Sequence, residues 1–440
     1  MTVVEAEKFK MTALGPLPPE WEVVKLGELL DTLRNGTTKR QNKDGKGYAV
    51  SRIETISTGL INPVKVGCIE SLTDDEVVNY RLRHGDILFS HINSEPYLGN
   101  SAIYRDNPPL LIHGMNLLVV RPNISQLGPE FLNFLFNYYR TTGVFVGIAS
   151  RAVNQSSINQ GKLKALLISL PPLPEQKKIA HVLSTVQTAI EKTEAVIKAT
   201  RELKKSLMKH LFAYGPVSMD EVKNVLLKET KIGMIPDKWD VVRLGEVVTF
   251  SSKPRNFDLS ASDNIPFVPM EYIPDDWVDI NRYEMRKPGE IRSGTFFFKG
   301  DLLVAKITPS FENGKQCIAN NLPSNFGYAT TEVWPLHQTT RADLLYLFYH
   351  LKRKEVRMDI AGKMEGSTGR QRVPRHVLQS LYIPLPSLSI QRQITDMLSP
   401  IDGKIEAEES KRKSLEALFE TLLSNLMTGK IRVNNLEVPV

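Results

Sequence analysis

The chain has 440 residues, 41% hydrophobic and 24% charged, a balance that supports ordinary buried cores and excludes a mainly disordered or collagen-like chain. Its 56 Lys and Arg against 49 Asp and Glu leave a formal net charge of +7, compatible with a nucleic-acid partner without requiring one. Two cysteines, Cys68 and Cys317, exclude a disulfide framework and a Cys-x-x-Cys metal cluster, and suit a reducing cytoplasm.

Residues 1–10 mix Glu5, Glu7, Lys8 and Lys10 into their apolar positions and lack a secretory core. The longest apolar stretch, 110–120, is broken by His113 and Asn116 and is far short of the ~20 residues of a membrane helix. A soluble protein with no membrane partner is expected.

From Trp21 onward the chain repeats itself. The octapeptide Trp21 to Glu28 returns as Trp239 to Glu246 with six identities in eight, at an offset of 218. Gly85-Asp86-Ile87-Leu88 returns as Gly300-Asp301-Leu302-Leu303, and Leu170-Pro171 as Leu385-Pro386, both at 215. An ordered repeat at a near-constant offset means one unit used twice rather than three domains of about 150 residues. Each Trp motif reads as structural, a strand whose aromatic seats the start of its domain. Between the motifs lie short apolar runs punctuated by Gly, Pro and Asn, which predict mixed strands and short helices. Residues 85–89 and 116–120 predict strands, and 130–140 and 343–353 predict helices.

Pro-rich punctuation at 170–174 and 384–386 then opens a long helical pattern in each half. In the first, Ile179, Val186 and Leu207 share a heptad row beside Leu183, Ile190, Ile197 and Leu211. In the second, Ile394, Ile401, Leu415 and Leu422 lie beside Leu398, Ile405, Phe419 and Leu426, with Glu408 and Arg412 interrupting the stripe. Tyr214-Gly215-Pro216 and Thr428-Gly429 close the two helices. Rods of roughly 40 residues span about 60 Å and need a partner for their stripes. They can pair with each other as an antiparallel coiled coil, or each can pack on its own globular part. The expected divisions are 14–170 (globular), 171–214 (helix), 215–231 (linker), 232–383 (globular) and 384–429 (helix).

No phosphate loop, dinucleotide turn, zinc-protease helix or nucleophile elbow occurs in the sequence. Asn107-Pro108-Pro109-Leu110 approaches the Asn-Pro-Pro-aromatic tetrapeptide of base-flipping methyltransferases, but Leu110 replaces the stacking aromatic and no Gly-rich methyl-donor loop accompanies it. It reads as a turn at a strand edge. The histidines, His84, His91, His181 and His350 among them, show no ligand spacing. No catalytic residue, metal site or cofactor is expected.

The positive charge is concentrated at matched places. Residues 139–170 carry Arg140, Arg151, Lys162 and Lys164 with no acid, and 351–376 carry eight basic residues against three acidic. Polar, Gly-containing loops at 147–159 and 362–371 suit phosphate contacts. The first helix carries eight basic residues against four Glu. The candidate DNA contacts are Arg151, Asn154, Gln155 and Lys162 in the first half and Arg370, Gln371, Arg372 and Arg375 in the second. Lys39 and Arg40, and Lys253 and Arg255, follow the two Trp motifs as further loop candidates.

Two Trp-x-x-x-x-Leu-Gly-Glu openings, the Leu-Pro-Pro-Leu-Pro-Glu-Gln helix start at 170–176 and the close Asn425-Leu426-Met427-Thr428-Gly429-Lys430-Ile431-Arg432 resemble the specificity subunit of type I restriction-modification systems over residues 14–432. The second helix start, Ser387-Leu388-Ser389-Ile390-Gln391, departs by lacking the Pro-Glu pair. The resemblance implies a mixed α/β (α+β) chain of two target recognition domains joined by two long helices in an antiparallel coiled coil, related by a pseudo-twofold. It implies a non-catalytic reader of double-stranded DNA, each domain contacting one half of a bipartite site and the helices setting the spacer. Two methyltransferase subunits would dock on the helices, and motor-nuclease subunits would complete a restriction enzyme. A coiled-coil scaffold with two protein-binding heads is the other reading, and steep salt dependence of binding separates DNA from protein partners.

Overall fold

The computed structural model describes residues 9–42, 45–151, 153, 155–260, 262–367 and 369–433. The chain forms two compact units, Met1–Lys192 with Arg412–Val440, and Thr193–Lys411. The divisions fall inside the two long helices, Leu173–Tyr214 and Leu388–Met427, so each unit contains a stretch of both.

In the first unit a four-stranded antiparallel sheet runs in the order Leu30–Asn35, Leu118–Pro122, Ile87–Phe89, Ser101–Ile103. In the second unit the order is Val248–Phe250, Val333–Gln338, Leu302–Ala305, Gln316–Ile318. The two sheets are the same piece of architecture. The strand after each Trp, Glu22–Lys25 or Asp240–Arg243, pairs with the strand before each long helix, Leu167–Leu170 or Tyr382–Leu385. A helix backs each sheet, Pro129–Thr141 in one unit and Leu344–Lys352 in the other, and its buried face includes Phe131, Leu135 and Phe136 or Tyr346, Leu347 and Leu351.

Gly85-Asp86 and Gly300-Asp301 are turns and not strand starts, with the strands beginning at Ile87 and Leu302. Gly85 and Gly300 have φ of 85° and 88°, where a side chain is strained. The following carboxylate is fully buried and accepts the backbone N–H three residues back, from Arg83 to Asp86 and from Phe298 to Asp301, each at 2.8 Å. Burial demands a partner for such a charge. Arg121 supplies two bonds of 2.7 Å to Asp86, whereas His337 at 2.6 Å and Ser251 at 2.6 Å meet Asp301. The second strand expected at 116–120 is shifted to Leu118–Pro122, because Met115 and Asn116 project from a loop.

The helix starts are built alike despite their sequence departure. Gln176 is buried, accepts the Gly128 N–H (2.8 Å) and donates to the carbonyls of Gln126 (3.0 Å) and Pro171 (2.9 Å). Gln391 accepts the Asp343 N–H (2.8 Å) and donates to Arg341 (3.2 Å) and Pro386 (2.9 Å). The missing Pro-Glu pair therefore costs the second helix nothing at this glutamine. It does matter for Glu175, which in the first unit accepts the indole N–H of buried Trp21 (3.0 Å) and meets Arg432 at 2.8 Å. Ile390 stands at the matching place in the second unit.

Within the first unit Ile179 and Leu183 share a core with Leu422 and Leu426, and partly buried Val186 and Phe419 pack against it. Within the second unit Leu211 shares a core with Ile394 and Leu398, and Leu207 packs against it. Ion pairs there join Arg201 to Glu409 and Lys204 to Asp402, an order that makes the two helix stretches antiparallel. Ile197 and Ile405 are buried, and Ile190, Ile401 and Leu415 are half-buried. Glu408, the interruption of the stripe, is 8% exposed and held by Lys404 at 2.5 Å and Lys411 at 3.4 Å, which lowers its carboxyl below the ordinary value. Gly215 (φ 83°) and Gly429 (φ 69°) follow the helix ends, each beside the Trp of its unit.

The units part company in a second sheet. In the second unit Glu284–Arg286, Ile265–Val268, Phe326–Ala329 and Thr295–Phe298 form four strands over an aromatic cluster of Phe257, Phe296, Phe326 and Tyr328. In the first unit the same pairing order shrinks to the pair Tyr48–Val50 and Gly67–Ile69 with single bridges from Val50 and Arg81 to Ile112. No helix among the described residues is long and apolar enough to cross a membrane.

Candidate DNA interface

The two basic segments are anchored to the same place in each unit. In the first, Ser150–Arg151 pairs with Ser156–Ser157, which pairs with Ile92–Asn93, and the Ile158 N–H donates to the His91 carbonyl at 2.8 Å. In the second, Ile307 bridges to Arg372, and the Val373 N–H donates to the Lys306 carbonyl at 2.8 Å. Both attachments lie just beyond the strand of the repeated Gly-Asp motif, 215 residues apart. The polar loops are thus hairpins held at the sheet, and among their described residues Arg151, Val153, Gln155, Ser367, Gly369 and Arg370 are exposed.

The side chains differ in availability. Arg151 is exposed and pairs with Glu95 (2.9 Å); Gln155 is exposed beside it; Asn154 lies outside the described residues. Lys162 is exposed but donates to the Ile148 carbonyl (2.8 Å) and Ser150 Oγ (3.0 Å), tying down the hairpin base. In the second unit Arg370 is exposed and Gln371 half-buried. Arg372 grips Glu332 with both Nε (2.9 Å) and Nη2 (2.7 Å), and this guanidinium holds the Glu332 carboxyl below its ordinary value. Arg375 lies 4.4 Å from the Phe250 ring centre, a cation–π contact. Beside them Lys306 sits 4.1 Å from the Trp334 ring centre, its ammonium lowered by burial. Sequence reasoning missed that pair, since only the fold brings Lys306 to Trp334.

Lys39 and Arg40 lie on the loop after the strand Leu30–Asn35, and both are exposed. Lys39 pairs with Glu76 at 2.6 Å, which lowers the Glu76 carboxyl. Arg40 makes no side-chain hydrogen bond or ion pair among the described residues, and it lines an open cleft. Lys253 and Arg255 are exposed on the corresponding loop of the second unit, which Phe257 fastens to the aromatic cluster by edge contacts with Phe296 and Phe326. Among the described residues no group of three or more His, Cys, Asp or Glu could share a metal ion.

A hydrogen-bonded network underlies the face in the first unit. Asn35 donates to the Met115 carbonyl (3.0 Å), touches His91 (3.3 Å) and accepts from Gln160 (2.9 Å). His113 beneath it is buried and pushed down to about 4 by desolvation, so it stays neutral at physiological pH and does not add to the positive surface. The arrangement offers phosphates fixed cations and offers base edges a set of amides and guanidinium groups.

Comparison with known proteins fits this geometry. The family model described as type I restriction modification DNA specificity domain matches twice, over residues 18–199 and 236–417. A chain of Methanocaldococcus jannaschii named as the MjaX specificity subunit of a type I restriction enzyme is 35% identical, with 97% of each chain covered. The MjaVIII specificity subunit of the same organism is 24% identical over 99% of each. A crystal structure of the S subunit of a type I restriction-modification system from M. genitalium shares the fold, with a TM-score of 0.61 at 16% identity, covering 96% of this chain and 98% of that one. With both repeats matched and a relative aligned over almost the full length, the chain belongs to the type I restriction-modification DNA specificity family.

Proposed function

We propose that this protein is the non-catalytic, sequence-reading subunit of a type I restriction-modification complex, working in the cytoplasm. Each globular part, 14–170 and 232–383, reads one half of a bipartite, asymmetric site in double-stranded DNA. The paired helices, 171–214 and 384–429, set the distance between the halves and carry two methyltransferase subunits, with motor-nuclease subunits joining the full assembly. The segment 215–231 is the linker between the two repeats.

The observation that carries this reading is the pair of basic hairpins, around Arg151 and around Arg370 to Arg375, hung from equivalent strands. A repeated scaffold with unlike reading surfaces suits two half-sites of unlike sequence, because base-edge contacts must differ where the bases differ. The test is selection from a randomised duplex library by the full chain with its methyltransferase partner. A two-part motif with an unread spacer is expected, and inserting one heptad into each long helix lengthens the spacer while leaving both halves unchanged. A motif without a spacer, or a spacer indifferent to the insertion, contradicts the reading.

A further inference from the structure

We infer that the first unit reads base edges through the cleft that holds Arg40, Gln41, Arg52, Met115 and Asn116, and that these side chains, more than the Arg151 hairpin, determine the sequence of its half-site. The inference rests on the DNA-reading function proposed above and names the residues that would carry it.

The cleft is assembled from three loops that the backbone ties together. The Thr37 N–H donates to the His113 carbonyl (2.9 Å), the Met115 N–H to the Thr37 carbonyl (3.1 Å), and the Ser51 N–H to the Ile112 carbonyl (2.8 Å). The Gly114 N–H donates to Ser51 Oγ at 3.0 Å. The loops meet so closely that a Cβ on Gly36 would lie 2.1 Å from the His113 carbonyl oxygen, and one on Gly114 2.3 Å from that of Ser51. Thr37, Ser51 and His113, through which these loops are tied, are themselves buried. The rim of the cleft is therefore held in place before any ligand arrives, as a reading surface requires.

The rim carries the chemistry of base recognition in a small area. Arg40 and Arg52 offer guanidinium forks that match guanine O6 and N7, Gln41 and Asn116 offer amides that match adenine N6 and N7, and exposed Met115 offers an apolar contact for a thymine methyl. Gly67 makes the space for two of them, since a Cβ there would lie 2.6 Å from Gln41 Oε1 and 3.2 Å from Arg52 Cδ. Glu54, 3.4 Å from Arg52, orients that guanidinium without neutralising Arg40. Arg151 and Lys162, by contrast, are committed to Glu95 and to the hairpin base, which suits local order more than base readout.

The position of the cleft supports the same conclusion. It lies where the two units differ most, at the reduced second sheet of the first unit, whereas the second unit places four strands and an aromatic cluster there. Half-sites of different sequence need their differences in the surfaces that touch bases.

The test is selection from the randomised library by the full chain with its methyltransferase partner, comparing wild type with Arg52→Ala, Gln41→Ala and Asn116→Ala. The expected result is loss of preference at positions within one half of the motif, with discrimination there falling roughly tenfold or more, while the other half and the spacer are unchanged. Asn116→Ala removes an exposed tip and keeps the test independent of folding. A wild-type motif that all three variants reproduce, or a uniform loss of affinity with every preference retained, overturns the cleft as the reader but leaves the proposed function standing. A wild-type complex that selects no sequence overturns both.

Discussion

The two units share a skeleton and differ in their faces. Asp86 and Asp301, Gln176 and Gln391, and the hairpin anchors at His91 and Lys306 make matching bonds 215 residues apart. The second sheet, the loop ion pairs and the cleft do not match. What repeats is therefore what holds each unit to its stretch of helix and its sheet, and what diverges is the face on which the proposed DNA contacts lie. A single partner meeting both units would need the first set alike, and an asymmetric ligand would need the second set unlike.

That division can be broken most severely at the buried aspartates. Asp86→Ala strands the Arg121 guanidinium, which cannot shed its charge, and is expected to cost the first unit about 3–5 kcal/mol in urea unfolding. Asp301→Ala is expected to cost less, because its side-chain partners are a half-exposed imidazole and a hydroxyl, His337 and Ser251, and no buried guanidinium is left behind. Equal losses would show that the two partners are not distinguished by charge. Next in size, Gln176→Ala and Gln391→Ala should each lower stability by about 2–3 kcal/mol, since each leaves buried backbone groups unsatisfied. Clearly unequal values in the two units would contradict their equivalence.

Acid should weaken both units through buried imidazoles. Burial lowers His113 to about 4 and His350 to about 3, below the ordinary value of about 6.5. As pH falls below about 6.5 the unfolded chain takes up these protons while the folded chain does not, so stability is lost down to each folded value. Each histidine contributes up to about 1.4 kcal/mol per pH unit in that window, and His113→Gln should flatten the slope of the first unit alone. A slope unchanged by that substitution places the acid sensitivity elsewhere. The smallest effect concerns phosphate contacts. Arg370→Ala should reduce the slope of log affinity against log salt by about one, whereas Arg372→Ala, whose charge Glu332 already meets, should change it less.

The repeat, the long helices and the placement of the basic segments were legible because each leaves a periodic or duplicated trace in the sequence. Fifteen heptad positions from Ile179 to Leu426 are all buried or half-buried, since an apolar stripe has one physical use. Gly85-Asp86 misled as a strand start because its carboxylate serves the turn through a bond that no pattern reveals. Charge counting found Arg151, Arg372 and Lys39 but not that Glu95, Glu332 and Glu76 already hold them. The cleft was out of reach for a simpler reason: Arg40, Arg52 and Asn116 come from three loops, and only the backbone bonds around Thr37 and Ser51 bring them together.

The central claim, that each unit reads its own half of the site, is tested most directly by exchange. Residues 14–165 are replaced by the corresponding segment of a family member with a different motif, and the methylated sequences made by the assembled complex are mapped. One half of the motif should change to that of the donor while the other half stays as it was. A change in both halves, or in neither, would contradict the account.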